Sequence, residues 1–108
     1  MKVSIITATY NSANTLALNL NSVARQSYKN IEHIIIDNCS SDSTLEIANS
    51  YNHISQIISE KDNGIYDAMN KGIAIASGDI IGILNSDDYL ANEDTIRSEE
   101  HTSELQSH

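Results

Sequence analysis

The chain has no proline, tryptophan or phenylalanine, and tyrosine is its only large aromatic residue. An Ile-dominated interior without Phe or Trp suits strands buried in a parallel sheet better than an aromatic-packed sandwich. Cysteine occurs once, at Cys39, which excludes an intrachain disulfide and a cysteine-based zinc cluster. A reducing cytoplasm fits that usage. Basic residues are scarce: 6 Lys and Arg against 15 Asp and Glu give a formal net charge of −9. So acidic a chain lacks the basic patches that nucleic acid and anionic membrane surfaces require. A phosphate-bearing ligand stays open, provided a metal ion supplies the positive charge. Long apolar runs are absent too. No stretch approaches the ~18 apolar residues of a membrane helix. The start, Met1-Lys2-Val3-Ser4-Ile5-Ile6, is too short an apolar run for a signal peptide. The expected location is the cytoplasm, with peripheral attachment at the inner face of the plasma membrane left open.

What is present fits one domain or less, at 108 residues and 40% apolar content. A compact chain of this size buries roughly 60–65% of its unfolded surface, enough for a modest core. Val3 to Thr7 reads as a first strand. Asn14 is a plausible cap for a helix running to Gln26, with Leu16, Leu20 and Val23 at helical spacing. Ile31 to Asp37 is a second strand. Asp42 or Ser43 caps a helix to about Tyr51, with Leu45 and Ala48 facing inward. Ile54 to Ser59 is a third strand. Ile65, Ala68, Met69, Gly72, Ile73 and Ala76 form a helical stripe, with Gly78 as its C′ residue. The fourth strand is Ile80-Ile81-Gly82-Ile83-Leu84, an apolar run expected to be buried on both faces. Strands alternating with helices in this way predict an α/β fold, a Rossmann-like parallel sheet.

The fourth strand runs into Asn85-Ser86-Asp87-Asp88. Adjacent carboxylates repel unless a cation or hydrogen bonds offset them. The pair reads either as a divalent metal site serving a phosphate-bearing ligand or as a solvated turn capping the next helix. Asp37 and Asp62 also lie at or near strand carboxyl ends. In an open parallel sheet those ends share one edge, which is where ligands bind. Each Asp alone is an ordinary turn or cap residue. Together they favour one shared site.

The last twelve residues, Arg97 to His108, contain one apolar residue, Leu105, and no periodicity. They read as the in-frame translation of a sequencing adapter. We treat 97–108 as a non-native tail and 1–96 as the natural part, with the gene expected to continue past Ile96. Two of the four histidines, His101 and His108, fall in that tail, so no His-based metal site is supported.

Four segments, in order, resemble family 2 glycosyltransferases. Val3-Ser4-Ile5-Ile6-Thr7-Ala8-Thr9-Tyr10-Asn11 is similar to the family's opening strand and loop. Asp37-Asn38-Cys39-Ser40-Ser41-Asp42-Ser43-Thr44 resembles its D-[DN]-x-S-x-D-x-T loop. Glu60 to Gly72 resembles its G-x-x-x-A-x-N-x-G segment, in the version typical of polysaccharide-assembling members. Asn85-Ser86-Asp87-Asp88 resembles its D-x-D-type metal motif. Each motif alone is weak; four in order are specific.

The resemblance implies the donor half of a GT-A fold, a nucleotide-diphosphate sugar donor, and inverting transfer to a glycan or lipid-linked acceptor. It implies donor binding by Thr9, Tyr10, Asp37, Asp62 and Asp87, with Asp37 on the nucleobase. It implies Mg²⁺ or Mn²⁺ on Asp88. Ala8 stands where many members have Pro, Cys39 where Gly is usual, and Met69 where many carry Arg. Lys61 and Lys71 are candidates to replace that Arg, or are solvated surface charges. The resemblance places the catalytic base beyond residue 96. Glu93 and Asp94 read instead as first-turn residues of a helix capped near Asn92, so this chain is expected to bind a donor without turning it over.

Other classes fit less well. The first strand-to-helix loop lacks G-x-G-x-x-G, and no G-x-x-x-x-G-K-[ST] occurs. A flavodoxin-like acidic binding module would need an acidic pocket after the first strand, where Ala8-Thr9-Tyr10-Asn11 supplies none. An inactive truncated α/β fragment that binds nothing tightly is the remaining alternative.

Overall fold

The computed structural model describes residues 1–99. Most of the expected tail, 100–108, lies outside the described residues. Eight elements follow in order: β1 (Val3–Thr9), α1 (Leu16–Ala24), β2 (Ile31–Asp37), α2 (Thr44–Asn49), β3 (Ile54–Ser59), α3 (Ile65–Ile75), β4 (Ile80–Ile83) and α4 (Thr95–Glu99). The strands form one sheet in the order β3-β2-β1-β4, every pair parallel. The α/β expectation holds, and β2 and β3 have the bounds read from the sequence.

Alternation along the central strands sends side chains to both faces. Ile5 of β1 and Ile35 of β2 pack on the side of α1 and α2, with Leu16, Leu20, Val23 and Ala48. Ile6, Ile34 and Ile36 pack on the other side, against Ala68 of α3. Gly72 lets α3 approach closely, since a Cβ there would lie 2.5 Å from Cγ2 of Ile6. Fully burying each large aliphatic side chain contributes about 1.5–3 kcal/mol, so these paired layers carry most of the stability.

His33 and Glu32, polar groups inside this core, are paired. His33 is fully buried; its Nε2 lies 2.9 Å from Thr7 Oγ1 and its Nδ1 3.1 Å from Nε2 of His53. Burial, with some help from the neighbouring His53, pushes the His33 pKa down to about 3. Glu32, at the amino end of β2, accepts from the Ser77 N–H at 2.9 Å and from Ser4 Oγ at 2.7 Å, with Lys2 Nζ 3.6 Å away. The Ser77 N–H, ahead of the opposing effect of burial and the two hydroxyl bonds, holds its carboxyl below the ordinary value. That network ties the chain start to the α3–β4 connection.

Several local expectations change. α1 starts at Leu16 with Thr15 at the N-cap, rather than at Asn14. Ser43 occupies the N-cap of α2, while the Asp42 carboxylate accepts from the Thr44 N–H at 3.0 Å. Gly78 is not a left-handed C′ residue; Gly64 is the one glycine with positive φ among the described residues. What Gly78 provides is closeness, because a Cβ there would meet Ser4 Oγ at 2.5 Å and Ser4 N at 2.7 Å. Ile65 and Ile73 of the α3 stripe are exposed, at 51% and 46%. β4 is not buried on both faces either. It is an edge strand, and Ile81 and Ile83 are 37% and 39% exposed on the side α3 leaves uncovered. An apolar run looks the same in sequence whether its strand is central or at an edge. The proposed junction at residue 97 falls within α4, where Arg97 Nη2 donates to the Ser27 carbonyl at 3.0 Å and the guanidinium stacks over Tyr28.

Candidate functional site

Parallel strands put the loops after β1, β2, β3 and β4 on one edge of the sheet, and all the expected site residues lie in or beside those loops. The first to be fixed is Asp37, the last residue of β2. It is fully buried. Its Oδ1 accepts from Thr9 Oγ1 at 2.6 Å and Ser40 Oγ at 2.6 Å; its Oδ2 accepts from Ser40 N–H at 2.8 Å and Ser59 Oγ at 3.0 Å. A carboxylate has about four lone-pair sites, and here the protein fills four. Burial alone would raise the Asp37 carboxyl, but the bonds from Ser40, Thr9 and Ser59 together outweigh it, and its pKa lies below the ordinary value. Asp37 thus ties the ends of β1, β2 and β3 together from behind.

The surface in front of it is an open cleft of about 350 Å³, lined among others by Thr9, Tyr10, Ser12, Asn38, Asp62 and Ser86. Sequence reasoning supplied Thr9, Tyr10 and Asp62. It missed Asn38, Ser12 and Ser86, whose residue types are ordinary in loops and give no signal of their own. The cleft's walls are cross-braced. Asn38 Oδ1 accepts from the Asp62 N–H at 3.0 Å, and Ser12 Oγ donates to Ser86 Oγ at 3.1 Å. Asp62 Oδ1 accepts from the Gly64 N–H at 3.0 Å, and Gly64 turns the chain into α3 at φ 115°, a conformation open to glycine. Asn11 and Cys39 also hold positive φ, at 47° and 49°. Asn tolerates this region; Cys does so only at some cost, which explains why a glycine is usual at the second position.

Asp87 and Asp88 follow Ser86 at the same edge. Asp87 is exposed and Asp88 half-buried. The turn is set by the Asp88 N–H, which donates to the Asn85 carbonyl at 2.9 Å. Among the described residues, Asp88 Oδ2 has only a long contact, 3.4 Å, from Asn85 Nδ2. Unlike Asp37, this pair has acceptor sites that no described side chain fills. No group of three or more His, Cys, Asp or Glu side chains gathers into a ready metal centre among the described residues. The donor set is hard oxygen without sulfur or imidazole, which suits Mg²⁺ or Mn²⁺ when a bound phosphate completes the shell.

Of the two lysine candidates, Lys71 is engaged elsewhere. Its Nζ lies 3.1 Å from Glu60 and 3.7 Å from Asp67, and donates to the Lys61 carbonyl at 3.1 Å. Asp94 accepts from Ser27 Oγ, well away from the cleft loops, and Asn92 Oδ1 accepts from the Asp94 N–H at 2.9 Å. Asn92 therefore organises the turn before α4, and the helix itself begins at Thr95.

An open parallel sheet with a polar cleft and a free acidic turn at its carboxyl edge is a ligand-binding α/β architecture of the doubly wound type. The chain belongs to glycosyl transferase family 2, which it matches over residues 4–98. It is 40% identical over 97 residues to a PGL/p-HBAD biosynthesis glycosyltransferase of Mycobacterium bovis, covering 86% of this chain and 38% of that protein. It is 44% identical over 90 residues to the Escherichia coli UDP-Glc:alpha-D-GlcNAc-diphosphoundecaprenol beta-1,3-glucosyltransferase WfaP, covering 81% of this chain and 36% of that protein. The fold superposes on residues 1–349 of S. aureus TarS in complex with UDP-GlcNAc, with TM-score 0.86, 32% identity, and coverage of 94% of this chain and 30% of that one. It also superposes on the mannosyltransferase PcManGT of Pyrobaculum calidifontis in complex with GDP-Man and Mn²⁺, with TM-score 0.79, 25% identity, and coverage of 88% and 30%. The chain thus spans little more than a third of the curated relatives it matches, and corresponds to their N-terminal, GT-A-like portion.

Proposed function

We propose that this chain is the donor-binding part of a glycosyltransferase that moves a sugar from a nucleotide-diphosphate donor to a glycan or lipid-linked acceptor, with inversion and metal assistance. The observation that carries the proposal is the pairing of an open cleft, lined by Thr9, Tyr10, Asn38 and Asp62, with an acidic turn that keeps acceptor sites free. Relatives crystallised with UDP-GlcNAc and with GDP-Man and Mn²⁺ support the ligand class.

In this reading the nucleoside lies in the cleft. Asp62 and Asn38 offer polar atoms to base and ribose, and the exposed ring of Tyr10 offers a stacking face. Asp37 remains a donor-site residue, acting through Thr9 and Ser40, whose hydroxyls it holds in place. Asp87 faces ribose or sugar. Asp88 holds Mg²⁺ or Mn²⁺. When bound, the ion neutralises diphosphate charge and so favours departure of the nucleoside diphosphate. An inverting transfer also needs a general base within hydrogen-bond reach of the acceptor hydroxyl. We assign that base to the sequence beyond residue 96 and expect this chain to bind donor without turnover. The proposed setting is the cytoplasm, peripheral to the inner membrane face; no helix among the described residues is long and apolar enough to cross a membrane.

Isothermal titration calorimetry of the chain with UDP and with GDP, in Mn²⁺ and in EDTA, tests the reading. Metal-dependent binding of one nucleotide is the expected result. Absence of binding to both nucleotides in Mn²⁺ sinks it and favours an inert fragment.

A further inference from the structure

Asn19 and Ser22 of α1, and Gln26 two residues past its end, are three polar residues at spacings of three and four. All are buried, at 0%, 3% and 1% exposure. Polar side chains on a solvated face need no partners; buried ones do. Ser22 Oγ donates locally to the Asn19 carbonyl at 2.7 Å and Gln26 Nε2 to the Ser22 carbonyl at 3.0 Å; their other partners are backbone groups of a single distant segment. Asn19 Nδ2 donates to the Asn85 carbonyl at 2.9 Å. The Leu90 N–H donates to Ser22 Oγ at 3.0 Å. Gln26 Nε2 donates to the Asn92 carbonyl at 2.7 Å, and its Oε1 accepts from the Ile96 N–H at 3.0 Å. Three side chains, two on α1 and one just past it, thus hold four backbone groups between residues 85 and 96, and Asp87 and Asp88 lie inside that span.

The first contact bears directly on the carboxylates. The Asn85 carbonyl accepts from both Asn19 Nδ2 and the Asp88 N–H, so one oxygen joins helix and acidic turn. Asn19 Oδ1 is buried without a hydrogen-bond partner among the described residues. Turning the amide over would set Oδ1 against the Asn85 oxygen, so the orientation is fixed by that carbonyl. A buried amide with an unanswered acceptor is unfavourable wherever a small apolar residue fits. Its donor is what the fold retains it for.

We propose that Asn19 is a positioning residue for the acidic turn, with Ser22 and Gln26 extending the same clamp along the loop. It holds the Asn85 carbonyl so that Asp87 and Asp88 are presented in one orientation to a cation-bound diphosphate. This role rests on the donor-site reading of those two carboxylates.

The test uses the 108-residue chain with Asn19→Ala, which keeps a good helix former in α1 and removes both the donor and the orphaned acceptor. Two readouts are paired: amide hydrogen exchange of Asp88 without ligand, and calorimetric affinity for UDP with Mn²⁺. The expected result is exchange at Asp88 faster by about 10-fold, the equivalent of one lost hydrogen bond, with Ile35 in the central strand unchanged. Affinity for UDP with Mn²⁺ falls by a similar factor. Ser22→Ala serves as the second variant and should speed exchange at Leu90 with the same silence at Ile35. Wild-type exchange at Asp88 in Asn19→Ala, or acceleration spread evenly over the sheet, overturns the clamp whatever the ligand does. If Asp88→Ala binds UDP with Mn²⁺ as tightly as wild type, the donor-site reading fails, and with it the purpose assigned to the clamp.

Discussion

β2 ends in an acid and the turn after β4 carries two, yet the two places do opposite things. Asp37 closes a strand at the centre of the sheet, fully buried, with four donors on its two oxygens. Asp87 and Asp88 lie in the turn after an edge strand, with one long side-chain contact among the described residues, from Asn85 to Asp88. A carboxylate whose lone pairs are filled by its own protein is architecture. One left partly unanswered beside a cleft is available to a ligand. Residue type and sheet edge are the same at both; saturation separates them.

The largest effect expected from this contrast is on stability. Asp37→Ala leaves Thr9, Ser40 and Ser59 donors without their acceptor and should cost about 3 kcal/mol in urea unfolding, the range for breaking a buried charged network. A loss below about 1 kcal/mol would place Asp37 among the ligand-facing residues instead. The next effect is on pH dependence and comes from the strand interior. The His33 pKa is about 3 in the fold against 6.5 in the open chain. Between those values the unfolded chain takes up a proton that the native one refuses, so stability is lost as pH falls below 6.5, by about 1.4 kcal/mol per unit at most. The Asp37 carboxylate, lowered in the fold, adds a further loss only as pH drops below the ordinary carboxylate range and through its folded value. Unfolding curves flat from pH 7 to 5 would contradict the buried neutral His33.

Ser59→Ala removes the longest of the four bonds to Asp37, 3.0 Å, and should cost about 1 kcal/mol, clearly less than Asp37→Ala. Equal losses for the two would mean that the bonds act as one indivisible unit. Cys39→Gly is the smallest change. Cys39 sits at φ 49°, so glycine should stabilise the chain, by roughly 0.5 kcal/mol after its greater unfolded freedom is counted. A melting temperature that drops instead would show that the Cys39 side chain matters beyond its backbone.

Much of the scaffold could be read from residues. Ile34-Ile35-Ile36 between turn-forming ends gave β2 its bounds, and the same pattern gave β3. β1 runs on to Thr9 because Thr9 pairs across the sheet with Asp37, a partner that local polarity conceals. Gly78 carried a helix-end signal, whereas its use is close contact with Ser4. The shared sheet edge of Asp62, Asp87 and Asp88 was readable; the cleft surface beside it was not. Asn38 and Asp37 are neighbours in sequence, but only burial shows that one lines the cleft and the other stands behind it. The α1 clamp was hidden for a similar reason: Asn and Ser on a helix, and Gln just past it, suggest solvent until their partners, 66 to 70 residues away, are in view.

If saturation divides a structural acid from a binding one, differential scanning calorimetry with and without UDP plus Mn²⁺ should separate Asp37 from Asp88. Ligand that binds only the folded chain raises its melting temperature. Wild type should shift upward, Asp88→Ala should melt with unliganded wild type and not shift, and Asp37→Ala should melt well below both. An Asp88→Ala chain that shifts as far as wild type would rule that division out.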